Sequence, residues 1–482
     1  MQTFEEVFNK SVKNIYIKFG IPYAEEAITL INTETGYKTS ETKKISFEQI
    51  KKNLLHIIQK SQLKLQLSDI FETTTDVIEI KDINFCDLFF TNNGIRHNDF
   101  FIIIDKHCKF INCDIQSLKF ENYSNLLEEH KYDLIFDSFH NKDENNLNIM
   151  IDNSHFYGKF YINKKNLREN DSKERDIKIQ SFYIKNSIFH HNFKLHYAII
   201  EEFEINDSNF EDKADFFNTK FINGHSKKSP ISFYAINFNE LAIFEECEFC
   251  EKVDFTYVTF KGLSQFRKAT FKKGLNLDNT NIEKDMNFFE IKSVDSSESK
   301  KQTSQETYRI IKHQLEKQNN KIEANRYYSC ELEKRRKNLA SNLNCIENIL
   351  SYIVFSLHNM TSAHARNWFL VLMWIIATGL FTTLACDSEI PKTILLSLVI
   401  SFFILGLFHW TYFPIIVALI SSIILFKVYY VPFHIHEILQ HTNLLFNIGK
   451  ENNFSSLLFA NKIALGYLYY QFITSVRKDT SK

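Results

Sequence analysis

FEECEFCEKVDFTYVTFKGLSQFRKATF, Phe244–Phe271, places a phenylalanine at 244, 249, 255, 260, 266 and 271. The step alternates between five and six residues. An α-helix returns its apolar residues every 3.6 positions and a strand every two, so neither accounts for it. Outward from this stretch the series holds through Phe233 and Phe238 on one side and Leu277, Ile282 and Phe288 on the other. Ile184, Phe189, Leu195, Ile200, Ile205, Phe210, Phe216 and Phe221 keep nearly the same beat upstream. Two residues before each anchor sits a second apolar or small residue: Ile231, Ile236, Ala242, Cys247, Val253, Val258, Ser264, Ala269. That pattern suits a chain that turns a corner after each short strand. Four such sides close a coil of 22 residues, which stacks Phe244, Phe266 and Phe288 on one face and Phe233, Phe255 and Leu277 on the next. Each coil then buries its anchors only against its neighbours, as in other solenoids.

Composition agrees. The chain has 47 phenylalanines against 11 glycines and 5 prolines, a skew that marks repeats rather than an ordinary globular core. Lys and Arg total 57 against 58 Asp and Glu, a balance that argues against a dedicated nucleic-acid binder. MQTFEEVFNK offers no basic region followed by an apolar core, so no secretory signal is read there, and the thiols are expected to stay reduced.

With its central aromatic or aliphatic anchor and small residue two positions earlier, the stretch resembles the pentapeptide-repeat family. The resemblance implies a mainly β fold, a right-handed quadrilateral β-helix, over residues 77–291. The chain departs from the family's commonest form in using phenylalanine and in adding a sixth residue at alternate corners. An earlier part fits with breaks: Ile104, Phe110, Ile115 and Phe120, with Cys108 and Cys113 two before an anchor. Stretches 121–149, 163–176 and Gly224–Pro230 (GHSKKSP) read as loops leaving the coil.

Residues 1–76 lack the beat and read as a helical cap or small domain, which would cover an otherwise open sheet edge. A polar linker, 292–304, leads to a long helix and juxtamembrane segment, 305–366, whose Tyr308, Ile311 and Leu315 are expected to cover the last coil. Residues 367–482 read as a transmembrane domain with spans at 367–386, 393–409, 412–431 and 455–476; the last is the weakest and also fits a surface helix. Lys334–Lys337 and Arg366 precede the first span and Arg477, Lys478 and Lys482 follow the last. By the positive-inside rule both termini and the β-helix face the cytoplasm. The resemblance extends loosely to family members with such a tail, and implies a multi-pass protein of the bacterial inner membrane.

No chemistry stands out. Cys247 and Cys250 form a C-x-x-C, but Cys247, like Cys108 and Cys113, holds a small inward position where a thiol serves as a hydrophobe. His190, His191 and His196 share one turn of the coil and read as a solvated face. His434, His436 and His441, with Glu437, are the nearest approach to a metal set, at a spacing that matches no site of the kind histidine and carboxylate usually build. No phosphate loop, H-E-x-x-H, nucleophile elbow or potassium filter is present. No cofactor, no metal and no enzymatic activity are expected. The residues that matter are the structural ladder: Phe233, Phe238, Phe244, Phe249, Phe255, Phe260, Phe266, Phe271 and Phe288. The reading is a membrane-anchored scaffold presenting a rigid β-helix to an unknown protein partner, with the bilayer as its other partner and a homo-oligomer possible. The alternative is a channel or transport component gated by the β-helix. A topoisomerase-protecting DNA mimic is a third reading, which the membrane tail suits badly.

Overall fold

The computed structural model describes residues 2–4, 6–7, 11, 65–71, 75–97, 100–111, 113–127, 130–137, 147–163, 177–387, 435–444 and 456–480. They form two compact units, Met1–Ser304 and Gln305–Lys482.

The first unit is chiefly a stack of parallel strands; Gly94–His97 pairs antiparallel with Ile83–Asn92 and with Phe100–Ile103, as does Leu126–Leu127 with His130–Lys131. From Ile231 onward each turn of the chain makes four two- to four-residue strands, and each pairs with the strand one turn later. Ile231 lies beside Val253 and then Leu275; Ala242 beside Ser264 and then Met286; Phe238 beside Phe260 and then Ile282; Phe249 beside Phe271. The nine ladder phenylalanines are all at most 1% exposed. Their rings stack on the equivalent ring of the next coil: Phe244 on Phe266 at 4.9 Å, Phe233 on Phe255 at 4.8 Å, Phe238 on Phe260 at 5.2 Å, Phe249 on Phe271 at 5.1 Å, Phe266 on Phe288 at 5.5 Å. These spacings follow the ~4.8 Å between neighbouring strands. A buried phenylalanine is worth about 1.5–3 kcal/mol relative to exposure, so the repeated anchor can supply much of what holds the coil.

The alternation of five and six has a backbone cause. Two residues after every second anchor the chain turns through a positive φ: Ala235 (53°), Glu246 (59°), Tyr257 (60°), Lys268 (57°), Asn279 (58°) and Glu290 (57°). The turn is closed by a hydrogen bond back to the anchor, as from Val258 N–H to Phe255 O (3.1 Å) and from Ala269 N–H to Phe266 O (3.0 Å). Positive φ at the third residue of such a turn is the type II arrangement, which glycine fills most cheaply. Here ordinary side chains occupy it, at ~1–2 kcal/mol each, and the ring stack inside has to outweigh them. The corners after Phe238, Phe249, Phe260 and Phe271 take the longer step, as open bends. At one of them a Cβ on Gly262 would lie 1.9 Å from Glu240 O, so no larger residue fits without moving a neighbouring coil.

Upstream the coil is less regular. Ile177–Lys185 and Ala198–Asn206 are nine-residue strands that run through one corner, with pairing interrupted at Gln180. The first half of Ala198–Asn206 pairs with Lys220–Asn223 and its second half with Ile231–Tyr234. The GHSKKSP turn lies between these two partners, closed by Gly224 N–H to Ser229 O (3.0 Å), and it is where one long side becomes two short ones. The stretch 121–149 is not a single loop: within it Leu134–Asp137 is a coil strand between His107–Ile111 and Phe160–Asn163. Residues 138–146 and 164–176 lie outside the described ones.

The sheet also reaches further toward the amino terminus than 77. Gln2–Thr3 pairs in parallel with Ile83–Asn84, Leu65–Gln66 pairs with Ile102–Ile103, and Phe4 is buried with its ring 5.2 Å from Phe85. A four-residue helix, α1 (Leu67–Ile70), follows the second of these strands. Most of the expected helical cap, 12–64, lies outside the described residues. At the other end α2 (Ser299–Gln302) and Thr303 belong to this unit. Thr303 Oγ1 accepts from Leu275 N–H (3.2 Å), and the backbone of Ser299 and side chain of Gln302 stand over Gly274. The last coil is thus met from within 299–303.

In the second unit the expected long helix is two. α3 (Gln305–Lys317) and α4 (Lys321–Ala340) are separated by Asn319, at φ 58°, and Asn320, whose side chain caps α4 by accepting from Glu323 N–H. Asparagine is among the few residues that enter the left-handed region cheaply, so the break is encoded. α4 folds back on α3: Tyr308 stacks on Tyr327, and Arg309 and Lys312 both reach buried Glu331, at 3.0 and 3.1 Å. Tyr308, Ile311 and Leu315 are buried. Then follow α5 (Ile346–Ser362), α6 (Trp368–Asp387), α7 (Ile435–Thr442) and α8 (Ser456–Thr480). Val371 and Ile375 of α6 pack with Leu465 and Leu468 of α8.

Among the described residues no helix is long and apolar enough to cross a membrane. Side chains of α6, the first expected span, are described only to Gly379 and at Thr382. The second and third expected spans, 393–409 and 412–431, lie outside the described residues. α8, at the fourth, is long enough but carries Asn461, Lys462 and Gln471.

Candidate interaction surface

The coil turns its charged residues outward, and they are matched from one turn to the next. Lys268 Nζ lies 3.1 Å from Glu246, Lys273 2.6 Å from Glu251 and Arg267 3.9 Å from Glu245; Lys272 and Lys220 both reach Glu248. Asn276 donates to Asp254 (3.0 Å) and Asn287 to Gln265 (3.2 Å). Each pair is half-exposed and adds little on its own. Repeated at one-turn spacing, the pairs support the register that the ring stack sets, because a slip of one residue would turn every inward side chain outward. The acidic residues of 245–251 are thereby answered by cations of the next turn, which leaves no continuous acidic face there of the kind a DNA mimic requires.

The histidines are used the same way. His190 Nδ1 is 2.7 Å from Glu211, His191 3.7 Å from Asp212 and His196 3.0 Å from Asp215, each partner lying one turn on. They are cross-coil pairs rather than a free solvated face. Asp215 is buried. Burial would raise its carboxyl, but hydrogen bonds from His196 and Lys213 outweigh it and hold the group at about 2.

Cys247 is fully buried and donates to Phe216 O (3.0 Å), its thiol pushed far up by desolvation. Cys250 points the other way and lies half-exposed beside Glu248. The two face opposite sides of the coil wall, so the C-x-x-C is not a pair. Cys108 and Cys113 are buried as well, Cys113 raised by burial to about 11. Among the described residues no group of His, Cys, Asp and Glu could hold a metal. Of the histidines singled out near the third expected span, His434 and the side chain of His436 lie outside the described ones. His441 is on α7, where its carbonyl accepts from Asn461 (3.3 Å).

The second unit holds an arrangement that the sequence did not signal. Glu333 on α4 takes both nitrogens of buried Arg336 at 2.9 Å, and His364 Nε2 faces it at 3.5 Å. His364 Nδ1 lies 3.2 Å from His358 Nδ1. Burial alone would raise Glu333; the contacts from His364 and Arg336 outweigh it and hold the carboxylate well below its usual range. His358 is pushed down to about 4 by burial, with His364 and Lys478 adding to the effect. Ala363, His364 and Ala365 are all at positive φ (47°, 60°, 63°). Three successive non-glycine residues there are costly. They wrap around Ser362, whose Oγ accepts from Ala365 N–H (2.9 Å) and whose carbonyl accepts from Arg366 and Asn367 (both 3.0 Å). The wrapped turn joins α5 to α6.

Residues 233–284 match the family model of pentapeptide repeats (9 copies). No curated protein and no solved structure matches the chain. Taken with the parallel strands that stack turn on turn through the same residues, the match identifies this as a β-helix repeat protein.

Proposed function

We propose that this is a membrane-seated, non-enzymatic scaffold whose coil stack is a recognition surface for a protein partner. The observation that carries the membrane part is the inverted sidedness of α8. Its buried stripe is Leu458, Asn461, Leu465, Leu468, Gln471 and Ser475, while Phe459, Ile463, Tyr470 and Ile473 are 57–65% exposed. Ser362 donates to Gln471 (3.3 Å) and Tyr467 meets Thr361 (3.4 Å). Polar groups turned inward and apolar ones outward suit a helix whose surroundings are lipid. α6 adds exposed Trp368 and Phe369 at its start. The basic flanks support a cytoplasmic coil stack.

The partner reading rests on the outer faces, which present side chains at fixed spacing on a wall with little freedom to move. Tyr257 (57% exposed), Tyr234 beside it at 5.6 Å, and Leu263 (49%) are among the large apolar groups exposed there. Aromatic residues are enriched at protein interfaces. A photo-crosslinking residue at position 257 or 263 of the full chain in its native membranes is expected to yield discrete protein adducts. The same residue at Lys252, away from those groups, should yield far fewer. Absence of protein adducts at all outer positions would remove the scaffold reading.

A further inference from the structure

α5 is inverted too, though it has no place among the expected spans. Its exposed stripe is Ile346 (73%), Ile349 (41%), Leu350 (56%), Ile353 (37%) and Val354 (61%). These fall at i, i+3, i+4, i+7 and i+8, one face of a helix. The residues α5 buries are Ser356, Thr361 and Ser362. Toward α4 it turns Phe355, whose ring lies 5.1 Å from the Arg335 guanidinium, and Asn348 donates to Asn342 O (2.9 Å). The most apolar face of the helix is the exposed one among the described residues.

We propose that α5 lies flat in the boundary between headgroups and acyl chains of an anionic bilayer, as a second membrane contact beside the spans. The proposal rests on the membrane reading of this unit. Three observations select lipid as the occupant. The five stripe residues are uncharged, while exposed Lys337, paired with Glu333 at 3.5 Å, precedes the helix and exposed Arg366 follows it. Cations flanking an apolar stripe match an anionic lipid surface. Beyond the wrapped turn 363–365, exposed Trp368 and Phe369 begin α6, and rings of this kind settle at the headgroup level. The stripe thus precedes, on the same chain, the rings that open the first expected span.

The test uses the full chain carrying Leu350→Cys, with its other accessible cysteines replaced by serine, labelled with nitrobenzoxadiazole. It is reconstituted into vesicles of phosphatidylethanolamine and phosphatidylglycerol. Asn344→Cys, exposed but off the stripe, serves for comparison. The label at 350 is expected to emit blue-shifted, and to be quenched several-fold by lipid with a doxyl group high on its acyl chain. The label at 344 should stay water-like. Replacing phosphatidylglycerol by phosphatidylcholine should weaken the quenching at 350. Water-like emission at 350 in a chain that floats with the vesicles overturns the proposal and spares the membrane reading. Blue-shifted but unquenched emission means that protein, a second copy or another chain, covers the stripe, and overturns it as well. Quenching indifferent to the anionic lipid overturns the charge argument. A chain that fails to float sinks both readings.

Discussion

Phe255→Asp is expected to unfold the coil stack at ordinary temperature. Phe255 is fully buried, stacked on Phe233 at 4.8 Å and set edge-on to Phe244 and Phe266 at 5.6 Å each. Truncating such a ring to alanine costs about 3–5 kcal/mol through lost burial and the cavity left behind. An aspartate adds a carboxylate with no partner inside the wall, which costs several kcal/mol more or forces protonation. Single domains are stable by only ~5–15 kcal/mol, so the loss is comparable to the whole. Lys252→Asp, on the outside, should change stability by no more than about 0.5 kcal/mol. Thermal melts followed by β-type circular dichroism separate the two. Equal melting would mean that the 255 position does not face inward.

Glu333→Ala is the second large effect. It strips buried Arg336 of both its 2.9 Å contacts and takes away the carboxylate that His364 Nε2 faces. Removing one partner of a buried ion pair typically costs about 3–5 kcal/mol. The loss should appear in the helical unit alone: its helical dichroism melts earlier in detergent, and trypsin cuts faster at Arg366 beside the wrapped turn. Glu333→Gln, which keeps one acceptor oxygen for Arg336 but sets an amide N–H against its second nitrogen, should fall between. Unchanged melting would mean that the pair does not hold the 363–365 turn.

The ladder was legible because a phenylalanine in a stacked coil has one place for its ring, over the ring one turn away, so spacing in sequence becomes spacing in space. The positive-φ residues could also have been found, since Ala235, Glu246, Tyr257, Lys268, Asn279 and Glu290 recur with every second anchor. So could the charge rows: Glu245, Glu246 and Glu251 stand one turn before Arg267, Lys268 and Lys273. In Ile177–Lys185 and Ala198–Asn206 two sides run together, so the corner has no sequence signal although Ile184, Ile200 and Ile205 keep nearly the same beat. Gln2–Thr3 and Leu65–Gln66 are too short to carry any period. In the second unit, Asn319 could have signalled the break between α3 and α4, where one long helix was expected, but the left-handed Ala363–Ala365 turn had no signal, because alanine has no preference for that region. Hydropathy weighs how apolar α8 is and not which way it faces. Only the packing shows that Asn461 and Gln471 are turned inward.

On the proposed reading, a β-helix able to stand alone is held at a membrane by the unit that follows it. Cutting the chain after Ser304 keeps Thr303 on Leu275 N–H and α2 over Gly274, so the last coil stays covered. The measurement is flotation of membranes, before and after an alkaline wash, for the full chain and for residues 1–304 expressed side by side. The account predicts that the full chain floats and resists the wash. It predicts that 1–304 stays at the bottom as a folded monomer with the same β-type dichroism. A full chain released by the wash, or a truncated one that floats with the membranes, would contradict it.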